Sequence, residues 1–268
     1  MIFSIALIIL AIFGAPLFTI IAASAMFGYQ NEGIDLMAMA IEVLGIASMP
    51  MLSAIPLFTF AGYLLSESNA PHRLVRLTSA MLGWMPGGLA LVALAACAFF
   101  TAFTGASGVT IIALGAILYP ALKQDGYPDN FNLGLVTTSG SLGLLFAPSL
   151  PLILYGVVAE ISIDDLFRAG VLPGILMLVL LSGYSLWINR HNRKPLGSFS
   201  WGEVGSALWE AKWELPLPVV VLGGIYSGYF AVSEAAAVTA LYVFIVEVLI
   251  LREIKIKELP GLMRESML

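Results

Sequence analysis

Charge is scarce in this sequence. Its 268 residues hold 12 Lys and Arg and 17 Asp and Glu, 11% in all, against 60% hydrophobic residues. A soluble domain carries about 25% charged residues. A chain of this size also has too much surface to hide so much apolar area from water, so its solvent is lipid. Cysteine occurs once, at Cys97, which excludes a disulfide framework and a cysteine metal cluster. Cys97 reads as a small buried apolar residue. His72 and His191 sit between apolar runs, as solvated loop histidines do. No basic stripe is present, which excludes a nucleic-acid partner. The first apolar run has neither the basic flank nor the A-x-A site of a cleavable signal. The spans offer only Cys97 and Glu247, far apart in sequence. Enzyme chemistry therefore has no acid–base or metal constellation to work with, and no cofactor is expected.

What is present is a series of long uncharged runs. Residues 1–31 would extend about 46 Å as one helix, beyond the roughly 30 Å hydrocarbon core. Gly14-Ala15-Pro16 predicts a kinked span or two short ones. Residues 33–48 hold Asp35 and Glu42 and suit the interface, and residues 49–66 form a clear span. Residues 77–122 are uncharged, with TGASGVT (Thr104 to Thr110) at their middle. The arm after it, 109–122, would reach only about 21 Å as a helix. That shortness predicts a re-entrant hairpin over 82–122 with its tip at TGASGVT. Residues 130–159 would extend about 45 Å if continuous, but GSLGLLFAPSLP (Gly140 to Pro151) interrupts them. Two half-helices meeting near the bilayer middle are expected. Residues 169–189 form one span. The connector 190–213 is polar, with Trp201 and Trp209 suited to the interface. Residues 215–233 and 235–251 form a last pair of spans, and 252–268 form a basic amphipathic arm. The connector and tail read as horizontal arms bracing a mobile part.

Eleven of the 12 Lys and Arg fall on one side of this topology: Arg73, Arg76, Lys123, Arg190, Arg193, Lys194, Lys212, Arg252, Lys255, Lys257 and Arg264. The positive-inside rule makes that side cytoplasmic. Arg168 falls opposite, beside Glu160, Asp164 and Asp165, in a loop that is either solvated or turned to a periplasmic partner.

A bilayer tolerates a broken helix only where the bare backbone is buried in protein or lines a watery cavity. Open carbonyls at a half-helix C-terminus can hold Na⁺, and open amides at an N-terminus can hold a carboxylate. That pairing suits cation-coupled uptake of an organic anion. Two readings stand for TGASGVT. Thr104, Ser107 and Thr110 offer hydroxyls beside Gly105 and Gly108, or the glycines form a helix-packing contact. At the second break, Ser139, Gly140, Ser141 and Gly143 precede Pro148, Ser149 and Pro151. One proline only kinks a helix; two prolines with two glycines argue for an unwound stretch that binds an ion or ligand.

Four stretches resemble the large membrane subunit of tripartite ATP-independent periplasmic (TRAP) transporters: IPLFTFAGYLL (Ile55 to Leu65), FFTAFTGASGVT (Phe99 to Thr110), GSLGLLFAPSLPLILYGVVAEISIDDLFRAGVLPGIL (Gly140 to Leu176) and GGIYSGYFAVSEAAAV (Gly223 to Val238). Ala106, Gly108 and Ala147 depart from the family's pattern. The resemblance implies an all-α integral membrane fold. This would be a multi-span helical bundle with one re-entrant hairpin and one broken helix, the first inverted repeat of an elevator-type fold. It implies scaffold spans over 1–76, a transport element over 77–170, further spans over 171–251 and a cytoplasmic arm over 252–268. It implies Na⁺ coupling, with Na⁺ on Ser107, Gly108, Gly140, Ser141 and Pro148, mainly through backbone carbonyls. Substrate would meet Thr104, Ser107, Thr110, Ser141 and Ser149. The implied location is the bacterial inner membrane. The implied partners are a small four-helix membrane subunit, a periplasmic substrate-binding protein and a second half of the large subunit. The implied cargo is a small organic acid such as a C4-dicarboxylate, sialic acid or a keto acid. Rival readings are a related elevator carrier without a binding protein, and a channel or structural subunit.

Two acids among the further features carry two readings each. Glu234 is either a polar anchor between moving parts or a helix-start carboxylate favoured by the dipole. Gly224 and Gly228 read as close packing. Glu247 is either a coupling acid or a side chain snorkelling to cytoplasmic water. Trp84, Trp187, Trp201, Trp209 and Trp213 read as interface anchors. Because one hairpin and one broken helix are present, the polypeptide alone is expected not to transport. Vesicles holding only this chain should show no Na⁺-driven uptake, and accumulation above the leak of empty vesicles would contradict this.

Overall fold

The computed structural model describes residues 2–85, 87–190 and 199–267. His191, Arg193 and Lys194 of the expected connector lie outside the described residues. Among the described residues every regular element is helical. The chain divides into residues 1–49 and residues 50–268.

In the first unit, α1 (Ile2–Ile12) and α2 (Leu17–Asn31) are separated where Gly14 takes a φ of +82° and Pro16 precedes α2. The run of residues 1–31 is thus two short helices. The Phe3 and Phe27 rings stack at 4.1 Å. Asp35 accepts the Met37 amide at 2.9 Å and starts α3 (Met37–Ala47). No residue of α2 or α3 is buried, and Phe13, Leu17, Phe18 and Leu44 are among the exposed apolar side chains.

The second unit begins with a 3-10 turn, Pro50–Ser53, leading into α4 (Ala54–Glu67) and the amphipathic α5 (Ala70–Leu82). α6 (Gly88–Thr104) and α7 (Ser107–Gln124) are joined by Gly105 and Ala106. α8 (Asp129–Leu142), a 3-10 turn (Gly143–Leu145) and α9 (Leu150–Ala159) form one bent element with a 46° break. α10 (Ile163–Ile188), α11 (Trp201–Glu210) and α12 (Pro216–Tyr226) follow. α13 (Val232–Phe244) continues as a π-helical turn, Ile245–Ile250, and α14 (Leu259–Ser266) closes the chain.

α6 lies at the centre, against α4, α5, α7, α8 and α10. Ala90, Ala93, Ala96 and Cys97 are at most 1% exposed, and side chains this small let membrane helices approach closely. Three helices of the described residues are long and apolar enough to cross a membrane: Ser107–Gln124, Ile163–Ile188 and the run Val232–Ile250.

Several sequence expectations shift. α7 has 18 residues, about 27 Å, so it is not the short arm that predicted a re-entrant hairpin. Its helix starts at Ser107 and continues through Pro120 to Gln124. Length alone therefore does not distinguish a returning arm from a full span. α10 starts at Ile163 because Ser162 caps it, accepting the Asp165 amide at 3.3 Å. Arg168 is therefore helical, 3.9 Å from Asp165 and over the Tyr226 ring. Glu234 accepts the Ala231 amide at 3.0 Å and so starts α13. A Cβ on Gly224 would meet the Phe230 ring at 2.1 Å, so its close packing is within its own turn.

Gly62 of α4 touches the loop end of α6: a Cβ there would lie 2.8 Å from the Thr104 Cα. That contact is with backbone, which cannot move aside. Gly62→Ala should therefore cost about 1–3 kcal/mol of stability, read as a lower unfolding temperature in detergent with helicity retained.

Candidate functional site

The α6–α7 turn exists because Gly105 takes a φ of +64°, a conformation that L side chains resist. Its amide donates to the Thr101 carbonyl at 2.8 Å, closing α6. Ala106, extended, then opens α7 with no side-chain cap. The amides of the first turn of α7 thus form an uncapped N-terminus, which favours an anion.

The tip rests on the break of the second element. A Cβ on Gly105 would lie 3.4 Å from the Pro148 carbonyl oxygen and 2.9 Å from the Leu150 side chain. A Cβ on Gly143 would lie 2.6 Å from the Ala98 carbonyl and 2.7 Å from the Ala102 amide nitrogen, so the 3-10 turn lies directly on α6. Ser149 begins α9 in extended conformation, with no side-chain cap. It is 0% exposed, and its hydroxyl has no hydrogen-bond partner. A buried hydroxyl left unpaired in this way costs free energy that a bound ion or ligand would recover.

Three threonines tie the two elements together. Thr101 Oγ1 lies 2.8 Å from Thr110 Oγ1 and 2.9 Å from the Gly140 carbonyl oxygen, and Thr104 Oγ1 lies 3.2 Å from Thr110 Oγ1. Each hydroxyl has one proton. If Thr101 donates to the carbonyl, Thr110 donates to Thr101 and Thr104 completes the chain. All three are at most 1% exposed.

Beside the tip is a cavity of about 740 Å³. Ala106, Gly108 and Val109 of the tip line one wall; Thr59, Tyr63, Ser66 and Glu67 of α4 line another, with Glu265 and Ser266 of α14 at its edge. Thr59, Tyr63 and Ser66 recur at helical spacing, so they share one face of α4.

The expected site residues therefore divide into groups. Gly108 faces the cavity. The Ser107 carbonyl lies beside Gly140, 3.5 Å from where its Cβ would be. The Pro148 carbonyl meets the tip at Gly105, and Ser149 follows it at the start of α9. Thr104 and Thr110 are inside, engaged with each other. Ser141 is exposed and bonds back to the Thr137 carbonyl of its own helix at 3.4 Å. Thr101 and the α4 face did not stand out in the sequence. Thr101 was findable, since it precedes Thr104 by three residues and so shares its helix face. The α4 face was not, because nothing local in IPLFTFAGYLL indicates which side meets the tip. Thr101→Val should remove the hydroxyl that links the Gly140 carbonyl to Thr110. A loss of about 1–3 kcal/mol is expected, and an unchanged unfolding temperature would dissociate the threonine chain from the tip's position.

The family model described as "Tripartite ATP-independent periplasmic transporter, DctM component" matches residues 2–268. The ectoine/5-hydroxyectoine TRAP transporter large permease protein of Ruegeria pomeroyi is 34% identical over 256 residues, 94% of this chain and 60% of that protein. The isethionate TRAP transporter permease protein of Oleidesulfovibrio alaskensis is 38% identical over 249 residues, 90% of this chain and 37% of that protein. The C4-dicarboxylate TRAP transporter large permease protein of Rhodobacter capsulatus is 34% identical over 258 residues, 90% of this chain and 58% of that protein. The chain thus spans 60% or less of the length of these relatives. With the family model covering the whole described chain and its helices apolar enough to cross a bilayer, the protein belongs to the DctM-component family of TRAP transporters, as a multi-pass membrane permease of the large-subunit type.

Proposed function

We propose that this chain is part of the large subunit of a sodium-coupled carrier that imports a small organic acid across the bacterial inner membrane by an elevator movement. The observation that carries this is the meeting of two interrupted helices at Gly105 and Pro148, with the buried Ser149 hydroxyl left unpartnered. Oxygen donors suit Na⁺, and here a hydroxyl and bare carbonyls are close together. The Ser149 hydroxyl and the Pro148 carbonyl are the favoured donors, with Ser107, Gly108 and Gly140 as the further expected ligands. Gly140 has its carbonyl already engaged by Thr101. Bound Na⁺ would supply positive charge that draws the substrate anion and couples its movement to the ion gradient.

In this scheme the acid group of the substrate meets the uncapped amides of α7 at Ser107 and Gly108, and the α4 face of Thr59, Tyr63 and Ser66 contacts the rest. Thr104 and Thr110 hold the tip in place. Relatives named for C4-dicarboxylates and isethionate support an acidic cargo. A small four-helix membrane subunit, a periplasmic substrate-binding protein and the other half of the large subunit complete the carrier. The exposed apolar helices of residues 1–49 are suited to lipid or to that small subunit. The connector and the C-terminal arm, with their basic residues, face the cytoplasm.

The test is sodium binding by the purified chain. Na⁺, but not K⁺ or choline, should raise its unfolding temperature. The gain should correspond to about 2.7 kcal/mol at a hundredfold excess over the dissociation constant. Ser149→Ala should remove most of that gain while leaving the sodium-free unfolding temperature near the parent value. Equal stabilisation by all three cations, or full stabilisation of the variant, would contradict the sodium assignment.

A further inference from the structure

Away from the tip, Arg73 of α5 is held by three carboxylates from three other segments. Its Nε is 2.5 Å from Glu214 Oε1, its Nη1 2.5 Å from Glu253 Oε1 and its Nη2 3.5 Å from Glu247 Oε1. The side chains of Arg73, Glu214 and Glu247 expose 11%, 3% and 1% of their surface. Glu247 is therefore not snorkelling to water, contrary to the simplest sequence expectation. It lies in the π-helical turn Ile245–Ile250, a distortion common at functional sites. The chain then folds back: Arg252 takes a φ of +56°, and the Glu253 amide donates to the Glu247 carbonyl at 2.9 Å. That fold brings both carboxylates to one guanidinium.

The three acids are unequally served. Glu253 also receives the Asn69 amide at 2.7 Å. Burial works against its charge, but the Arg73 hydrogen bond, the Asn69 amide and the Arg73 charge hold its carboxyl below the usual range. Neither oxygen of Glu247 has a hydrogen-bond partner, and Glu214 Oε2 has none. Tyr242 donates its hydroxyl to the Trp213 carbonyl at 2.8 Å, and Ser68 donates to the Leu65 carbonyl at 2.9 Å. Arg76, one turn along α5, is paired with Glu210. The charged and titratable groups facing this site are thus Arg73, Glu214, Glu247, Glu253 and Tyr242.

One guanidinium among three carboxylates leaves two negative charges uncompensated. Groups so buried take up protons rather than stay charged, and like charges in one site drive the same outcome. Burial pushes the Glu214 carboxyl above the ordinary carboxylate range, even with Arg73 pulling the other way. We propose that Arg73, Glu214, Glu247 and Glu253 form a proton-binding site. It holds an exchangeable proton among its carboxylates and ties α5 to the segment that follows α13. The proton belongs to the group as a whole. This inference stands on the cluster's geometry and is independent of sodium coupling.

A carboxyl group that holds its proton more tightly folded than unfolded stabilises the fold at low pH, and that contribution is lost as pH rises through its folded value. The chain in detergent should therefore show an infrared band of a protonated carboxyl at neutral pH that disappears as pH is raised. Glu247→Gln should lack the band, and its unfolding temperature should fall less between about pH 5 and pH 8 than that of the parent. Absence of the band in the parent chain, or an identical pH slope in the two proteins, would overturn the proposal. Should Glu247→Gln not fold, the band in the parent and its loss or displacement in Glu214→Gln decide the question. A band unchanged by Glu214→Gln would equally overturn the shared site.

Discussion

The fold depends on the need to cover backbone that is not helical at bilayer depth. Peptide groups there have no water to bond, so an interrupted helix survives only when protein closes over it or a cavity hydrates it. Two helix interruptions, one at Gly105 and one between Gly143 and Pro148, stack on each other. Gly105 brings the tip of α6 and α7 onto the Pro148 carbonyl, while Gly143 lets the preceding turn lie on α6. Gly62 admits α4 to the same place. A Cβ at Gly62 or Gly143 would meet backbone, and one at Gly105 would meet the Leu150 side chain at a positive φ. Gly62 and Gly143 are positions where backbones touch.

Around that contact the polar groups are sorted by function. Buried hydroxyls that pair with one another, at Thr101, Thr104 and Thr110, hold the parts in register. A buried hydroxyl that pairs with nothing, at Ser149, marks where a ligand would be welcome. The start of α7 and the polar face of α4 line one cavity. The Arg73 assembly is a separate polar system. It joins α5 to segments that follow it by well over a hundred residues.

Much of this was legible in the sequence because the bilayer restricts what a backbone can do. The uncharged runs and their Gly and Pro interruptions located the two breaks at TGASGVT and GSLGLLFAPSLP. The family resemblance drawn from those stretches agrees with the match over residues 2–268. What the sequence did not give is what depends on three-dimensional neighbours. The extent of α7 was underestimated because Ser107 and Gly108 looked like loop and instead start the helix. Thr104 and Thr110 looked like a ligand's hydroxyls, and in the fold they lie against each other and Thr101. Glu247 looked near water, because the arginine that meets it is 174 residues earlier and no local pattern connects them.

The stacked interruptions matter most if they hold an ion. An electron cryomicroscopy structure of the assembled carrier in Na⁺, at a resolution that shows bound ions, addresses this directly. Density for an ion touching the Ser149 hydroxyl and the Pro148 carbonyl, lost when Na⁺ is replaced by choline, is the expected result. A continuous helix through residues 131–159, or a tip and break in place with only protein atoms between them in Na⁺, would contradict it.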